Sequence, residues 1–280
     1  WGLMLSMAGG SMQFSQDAHG TTVKRLHGGY GAHNGIMAVE LAARGIAGPA
    51  QALDGIYGLC NNFGSNPDLD RLVPDRNDAF EIHRISYKPY PCCRLFHSTL
   101  DALRTVTSDY SAANGDIEHI TVGGPALLQT QHMLARPTSM MAAQYSLPYT
   151  LGAALVAGPF DADAFAAERL NDNAILSLAD RVSAQADEDM ERAFPEHFGS
   201  WVEITFKDGT QRRADVLDSY GTPVNPMPFA ALLEKFDGLV RAVRPDFAVE
   251  EFAAEIERLP ETDDATGLMT PFTPSMETAA

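Results

Sequence analysis

Cysteine is scarce in this chain: Cys60, Cys92 and Cys93 are the only three in 280 residues. So small and odd a number excludes a disulfide framework and predicts a reducing, cytoplasmic setting. Adjacent Cys92 and Cys93 are badly placed to bond each other. Without a Cys-x-x-Cys pair a structural zinc site loses its support. His19, His83, His119, His132 and His197 are scattered with no ligand spacing, so no metal is expected. Cations are few as well, 20 Lys and Arg against 37 Asp and Glu, for a net charge of −17. No basic stripe exists, which argues against nucleic acid as a partner. No apolar run approaches the roughly 20 residues of a membrane span, and the first residues lack the basic stretch of a secretory signal. No G-x-G-x-x-G follows a strand pattern, so a dinucleotide cofactor has no support. If the ligand is an anion, its site needs a local cluster of Lys, Arg and His to overcome the surrounding negative field.

What is present is enough apolar residue, 45%, for a sizeable core. The opening "WGLMLSMAGGSMQF" reads as a helix already under way with no N-cap, as in a fragment of something longer. Residues 1 to about 63 read as helical. Ile36, Val39, Ala43 and Ile46 recur at three- and four-residue steps, and Gly48-Pro49 ends one helix and opens a second that runs through "AQALDGIYGLCNNF". Residues 64–78 are polar and proline-rich, a linker or long loop. "FEIHRISYK" alternates and predicts a strand. A helix from about Leu95 to Tyr110 follows, then a strand at "IEHITVGG" and an apolar helix, "SMMAAQYSLPYTLGAALVAG", with Pro148 inside it. "DADAFAAERLNDN" reads as a solvated acidic helix face. "WVEITFKDGTQRRADV" is the clearest hairpin, with Val202, Ile204 and Phe206 alternating and Asp208-Gly209 at the turn. Two amphipathic helices, near 228–243 and 247–258, precede a tail from Pro260 that reads as frayed.

Two stretches concentrate the chemistry. In "TTVKRLHGGYGAHNG", Lys24, His27 and His33 flank a glycine-rich turn into a helix start, where backbone N–H groups favour an anion. Lys24 and His27, three apart, can share a helix face and converge on a carboxylate, though a solvated lysine and a capping histidine fit the same letters. In "YKPYPCCRLFHSTLDAL", Lys88 leaves a strand end into a rigid Pro-x-Pro turn, and Cys93 and Arg94 sit where a helix begins, which lowers a thiol pKa and holds anions. His97 lies one turn on from Cys93. The pair has the types of a nucleophile and a base, with no visible orienting third group. Cys92 reads as a buried, inert thiol, and Tyr145 as a core tyrosine whose hydroxyl needs a partner.

These blocks, together with "QYSLPYTLGAAL" and "DGTQRRADVLDSYGTPVNPM" followed by "EKF", resemble the MmgE/PrpD family in order and spacing, over nearly the whole chain up to about residue 258. The resemblance implies an α+β protein. An all-helical domain would be formed from both chain ends (residues 1–78 and 219–280), with an inserted α+β lid at 79–218 and the active site in the cleft. It implies a cytosolic or mitochondrial homodimer that needs no metal or organic cofactor, and a further N-terminal helical region beyond this chain. The family's pocket lysines fall on Lys24 and Lys88, its histidine on His27 and its tyrosine on Tyr145. Cys93, Arg94 and His97 are expected to border the substrate. The decarboxylase branch has a histidine where this chain has Cys93, which weakens a decarboxylase reading. The expected activity is abstraction of a proton α to a carboxylate in a small di- or tricarboxylate, with dehydration of a 2-methylcitrate-like hydroxy acid. Epimerisation, decarboxylation or a non-catalytic carboxylate-binding or dimerising role are the alternatives.

Overall fold

The computed structural model describes residues 1–16, 20–73, 79–108 and 116–272. The expected position of Tyr110 at a helix end, His19, part of the 64–78 loop and the last residues of the tail lie outside them. The chain divides into two compact units, Trp1–Asn225 and the residues from Pro226 onward. It is a mixed α and β protein with one four-stranded sheet among the described residues.

In the first unit the order is α1 (Gly2–Ser6), α2 (Lys24–Ala43), α3 (Leu59–Phe63), α4 (His97–Thr107), β1 (Ile117–Gly124), α5 (Ala126–Gln131), α6 (Met140–Gln144), α7 (Leu147–Ala157), α8 (Asn173–Ala179), β2 (Val182–Ala186), α9 (Glu188–Ala193), β3 (Ser200–Phe206) and β4 (Gln211–Val216). The sheet runs β2-β1-β3-β4. β2 lies parallel to β1 (Ile120 opposite Val182), and the other neighbours are antiparallel (Ile120 opposite Ile204, Val202 opposite Ala214). The alternation expected of β3 is present: Val202, Ile204 and Phe206 are all buried. They meet Ile120 and Val122 from β1 and Phe96, Leu100, Leu103 and Val106 from α4 and its preceding turn in one core cluster. Each such side chain, fully buried, contributes about 1.5–3 kcal/mol. Inside this apolar contact Thr99 Oγ1 and Ser200 Oγ, 2.9 Å apart, satisfy each other. They fix how α4 sits on the sheet.

The second unit holds α10 (Phe229–Arg241) and α11 (Val249–Glu257), both as expected. Its interior is aromatic, Phe252 lying 5.4 Å from Phe236 and 5.2 Å from Phe272.

Several sequence expectations are corrected. "FEIHRISYK" is not a strand: Glu81–Arg84 form a 3₁₀ turn and Phe80 and Ile82 are largely exposed. Alternation makes a strand only where another strand supplies hydrogen bonds, and none pairs here. The second early helix shrinks to α3, because Gly55 and Gly58 close successive turns on Gln51 and on Gly55. The "LHGGYGAHNG" glycines form no turn; α2 runs straight through them from Lys24. The apolar helix containing Pro148 is two helices. Tyr145 ends α6, and Ser146 caps α7 by accepting the Tyr149 N–H at 3.0 Å. Pro148 thus falls in the first turn, where its missing N–H costs nothing. "DADAFAAERLNDN" is two 3₁₀ turns, Asp163–Phe165 and Ala167–Arg169, with Ala164 and Phe165 buried, rather than an exposed helix face.

Candidate functional site

The α6–α7 break receives Lys24 on one side and the Tyr87–Arg94 segment on another. Lys24 opens α2, and its ammonium donates to the Tyr145 hydroxyl. It also lies 4.8 Å from the Tyr145 ring centroid and 5.2 Å from that of Phe14. Phe14 meets His27 (5.7 Å) and Tyr145 (5.9 Å) edge-on, so one buried phenylalanine carries both the lysine and the histidine of the first α2 turn. Tyr145 sits at the α6–α7 break. Its carbonyl accepts the Nδ1–H of buried His132 at 3.1 Å, and Leu147 N–H returns to the His132 carbonyl at 2.8 Å.

The Tyr87–Arg94 segment docks on the same break: Cys93 N–H donates to the Gln144 carbonyl at 2.8 Å. Burial pushes the Lys88 ammonium below its ordinary pKa. The thiols of Cys92 and Cys93 oppose this, and the charges of Lys24 and Arg94 add to it. Charge coupling of that kind puts Lys88 within electrostatic reach of both Lys24 and Arg94. Arg94 is likewise lowered by burial, against the pull of Asp218 and Asp101. Its guanidinium donates to Ser219 Oγ at 3.1 Å and lies 5.1 Å from the Phe198 ring.

The Cys93 thiol is raised, not lowered. Burial outweighs the Leu95 N–H and the charges of Lys88, Lys24 and Arg94, so a helix start does not make it a ready thiolate. Cys92 is buried and its thiol is raised still further by burial. His97 is fully enclosed, its ring edge-on to Tyr90 at 5.2 Å. His33 is exposed beside Tyr30 and Asn34. The structure therefore joins Lys24 to Tyr145, seats the segment bearing Lys88, Cys93 and Arg94 on the break beside Tyr145, sets His27 against Phe14, and places His97 in the core. Spacing missed His132 and Ser219; the only hint was the "DSYG" stretch after the hairpin.

A separate open hollow lined by Ala186, Asp187, Glu188, Glu191 and Arg192 shares no residue with this cluster, and its three carboxylates suit no carboxylate ligand. Among the described residues no group of three or more His, Cys, Asp or Glu is placed to hold a metal ion, and no helix is long and apolar enough to cross a membrane.

A family model described as the MmgE/PrpD C-terminal domain matches residues 90–260, which takes in Cys93, Arg94 and Tyr145 but not the two lysines. Two curated relatives, both cis-aconitate decarboxylases of Aspergillus terreus, one from strain NIH 2624, are similar to this chain at 25% identity over 269 residues and 26% over 273. Each comparison covers 90% of this chain and 54% of the relative. The chain spans about half the length of the curated relatives it matches.

Proposed function

Since the chain belongs to the MmgE/PrpD family, matched over residues 90–260, we propose that it serves a lyase acting on a small di- or tricarboxylate by proton transfer α to a carboxylate. The observation that carries this reading is the Lys24 ammonium seated on the Tyr145 hydroxyl, with Lys88 and Arg94 close by.

Removing a proton next to a carboxylate builds an enolate-like dianion. Cations fixed in advance stabilise that charge as it forms, and loss of one such group typically costs about 3 kcal/mol. Lys24 and Lys88 act as carboxylate clamps and Arg94 as a third cation at the border. Because Lys24 donates to the Tyr145 oxygen, the phenol O–H is left to point at a ligand. In a dehydration a pocket base takes the α-proton, with His27 as that base or its orienter, the C–O bond breaks, and Tyr145 delivers a proton so that hydroxide leaves as water. Acid–base catalysis of this kind adds roughly 10²–10⁴-fold.

The first reading is dehydration of a 2-methylcitrate-like hydroxy acid. Decarboxylation of cis-aconitate is the second, favoured by the relatives' names. In that reading the cations hold the carboxylates and Tyr145 protonates the carbon that loses CO₂. We further propose a homodimer, to be tested by light scattering. The test of function is to follow 2-methylcitrate, citrate, cis-aconitate and iminodisuccinate by proton NMR with the 280-residue chain, its Lys24→Ala and Lys88→Ala variants alongside. Water release, or carbon dioxide release, lost in both variants supports the lyase and selects the branch. Binding without turnover assigns a carboxylate-binding role instead. The absence of both binding and turnover refutes the reading.

A further inference from the structure

We propose that the Asp218–Gly221 turn after β4 is the positioning device that aims Lys88 and Arg94. This rests on the reading of those two residues as carboxylate-binding cations.

The turn is bonded to both ends of the cation-bearing segment. Tyr87 N–H, one residue before Lys88, donates to the Gly221 carbonyl at 2.8 Å. Arg94 Nη1 donates to the fully buried Ser219 Oγ at 3.1 Å. Between them Tyr220 N–H donates to Asp101 Oδ2 at 2.6 Å, anchoring the turn to α4, the helix that follows Arg94. Asp218 completes the frame: its carboxylate takes the His197 Nδ1–H at 2.9 and 3.0 Å while also attracting Arg94.

Gly221 has φ +95°, and a Cβ added there would lie 2.3 Å from the Tyr87 carbonyl oxygen and 3.2 Å from Pro89 Cδ. Those atoms flank Lys88 on either side. A side chain at 221 could fit only by pushing aside the stretch that carries the lysine. Ser219 offers Arg94 one hydroxyl in a place sealed from water, so the guanidinium has a single preferred direction. Pre-set groups bind without losing the freedom that a mobile clamp gives up. In this proposal the turn residues act through Lys88 or Arg94 rather than on the ligand.

The experiment reads geometry and binding separately. In a Cys60→Ser background, where Cys92 is buried, iodoacetamide reports on Cys93, whose thiol feels the Arg94 charge. Alkylation rate against pH and citrate affinity by calorimetry are measured for the parent, Ser219→Ala, Gly221→Ala, Arg94→Ala and the Ser219→Ala/Arg94→Ala pair. Ser219→Ala and Gly221→Ala should each weaken citrate about tenfold. Ser219→Ala should also raise the pH midpoint of alkylation, and should add nothing once Arg94 is gone. A change of equal size with and without Arg94, or no change in the midpoint, overturns the proposal. If the parent binds no citrate, the ligand assignment fails alone, and the alkylation cycle still decides the positioning claim. Should Ser219→Ala not fold, Arg94→Lys keeps the charge but cannot make the same reach; a midpoint equal to the parent's then overturns it.

Discussion

Gly123→Ala tests how the sheet end nearest this turn is built. Gly123 faces Trp201 across the β1–β3 ladder. A Cβ at 123 would fall 2.0 Å from Trp201 Cε2 and 2.2 Å from its Nε1, inside the indole. Trp201 has nowhere to retreat without breaking contacts on both sides. Its Nε1–H donates to Asp187 Oδ2 at 2.8 Å, and the Arg213 guanidinium lies 3.9 Å from its ring. Overpacking a well-filled site costs about 1–3 kcal/mol. The indole hydrogen bond is worth about 0.5–1.5 and the cation–π contact about 0.5–1 at this exposure. We therefore expect Gly123→Ala to destabilise the first unit by about 2–4 kcal/mol and lower its melting temperature by roughly 5–12 °C. Circular dichroism follows the melt and Trp201 fluorescence the displaced ring. Gly124→Ala is the comparison: its Cβ would meet a movable methyl of Leu128 at 2.5 Å, a smaller demand. A loss at 123 no larger than at 124, or one below about 0.5 kcal/mol, would refute the reasoning.

Other outcomes follow from single sites. Burial holds the His132 imidazole below its ordinary 6.5. The unfolded chain therefore takes up the proton first on acidification. Stability should fall as pH drops below about 6.5 and level off once the folded group also titrates; urea midpoints against pH should show a weaker slope in His132→Asn. Asp172 caps α8 by accepting from Ala174 N at 2.9 Å, so Asp172→Ala should cost about 1 kcal/mol in the same assay. Native-state iodoacetamide, read by mass spectrometry, should label Cys60 and Cys93 and spare buried Cys92 until the chain unfolds. Labelling of Cys92 in the native state would contradict its placement in the core.

The β3–β4 hairpin was legible because its evidence is local: three alternating apolar residues and an Asp-Gly turn with Gly209 at φ +84°. β2 was not. Val182–Ala186 pairs on one side only and is half-buried or exposed, so its letters, VSAQA, carry no apolar face. The false strand at 80–88 fails for the complementary reason: alternation with no partner. The α6–α7 break was legible in principle, since Ser146 two residues before Pro148 is a helix start, but the apolar run on both sides concealed it. In the site, Lys24, Lys88 and Tyr145 could be named as types, but the contact of Lys24 with Tyr145 is a tertiary fact. So are Gln144 holding Cys93 and Phe14 filling the space behind Lys24.

Burial around the Tyr87–Arg94 segment works against the charge of its cations. Lys88 and Arg94 are both depressed by burial, so the fold holds two positive charges where water serves them poorly. Lys24 and Arg94 each depress Lys88 further, while the two neighbouring thiols pull the other way. In a chain of net charge −17, carboxylates to quench these cations are abundant. Those that do act on the cluster, Asp218 and Asp101, serve Arg94 while being tied at the same time to His197 and to the Tyr220 amide. A carboxylate ligand would return what desolvation and like-charge repulsion take away. On the proposed function, an anion with at least two carboxylates would suit this arrangement, one carboxylate at Lys24 beside the Tyr145 hydroxyl and another at Arg94.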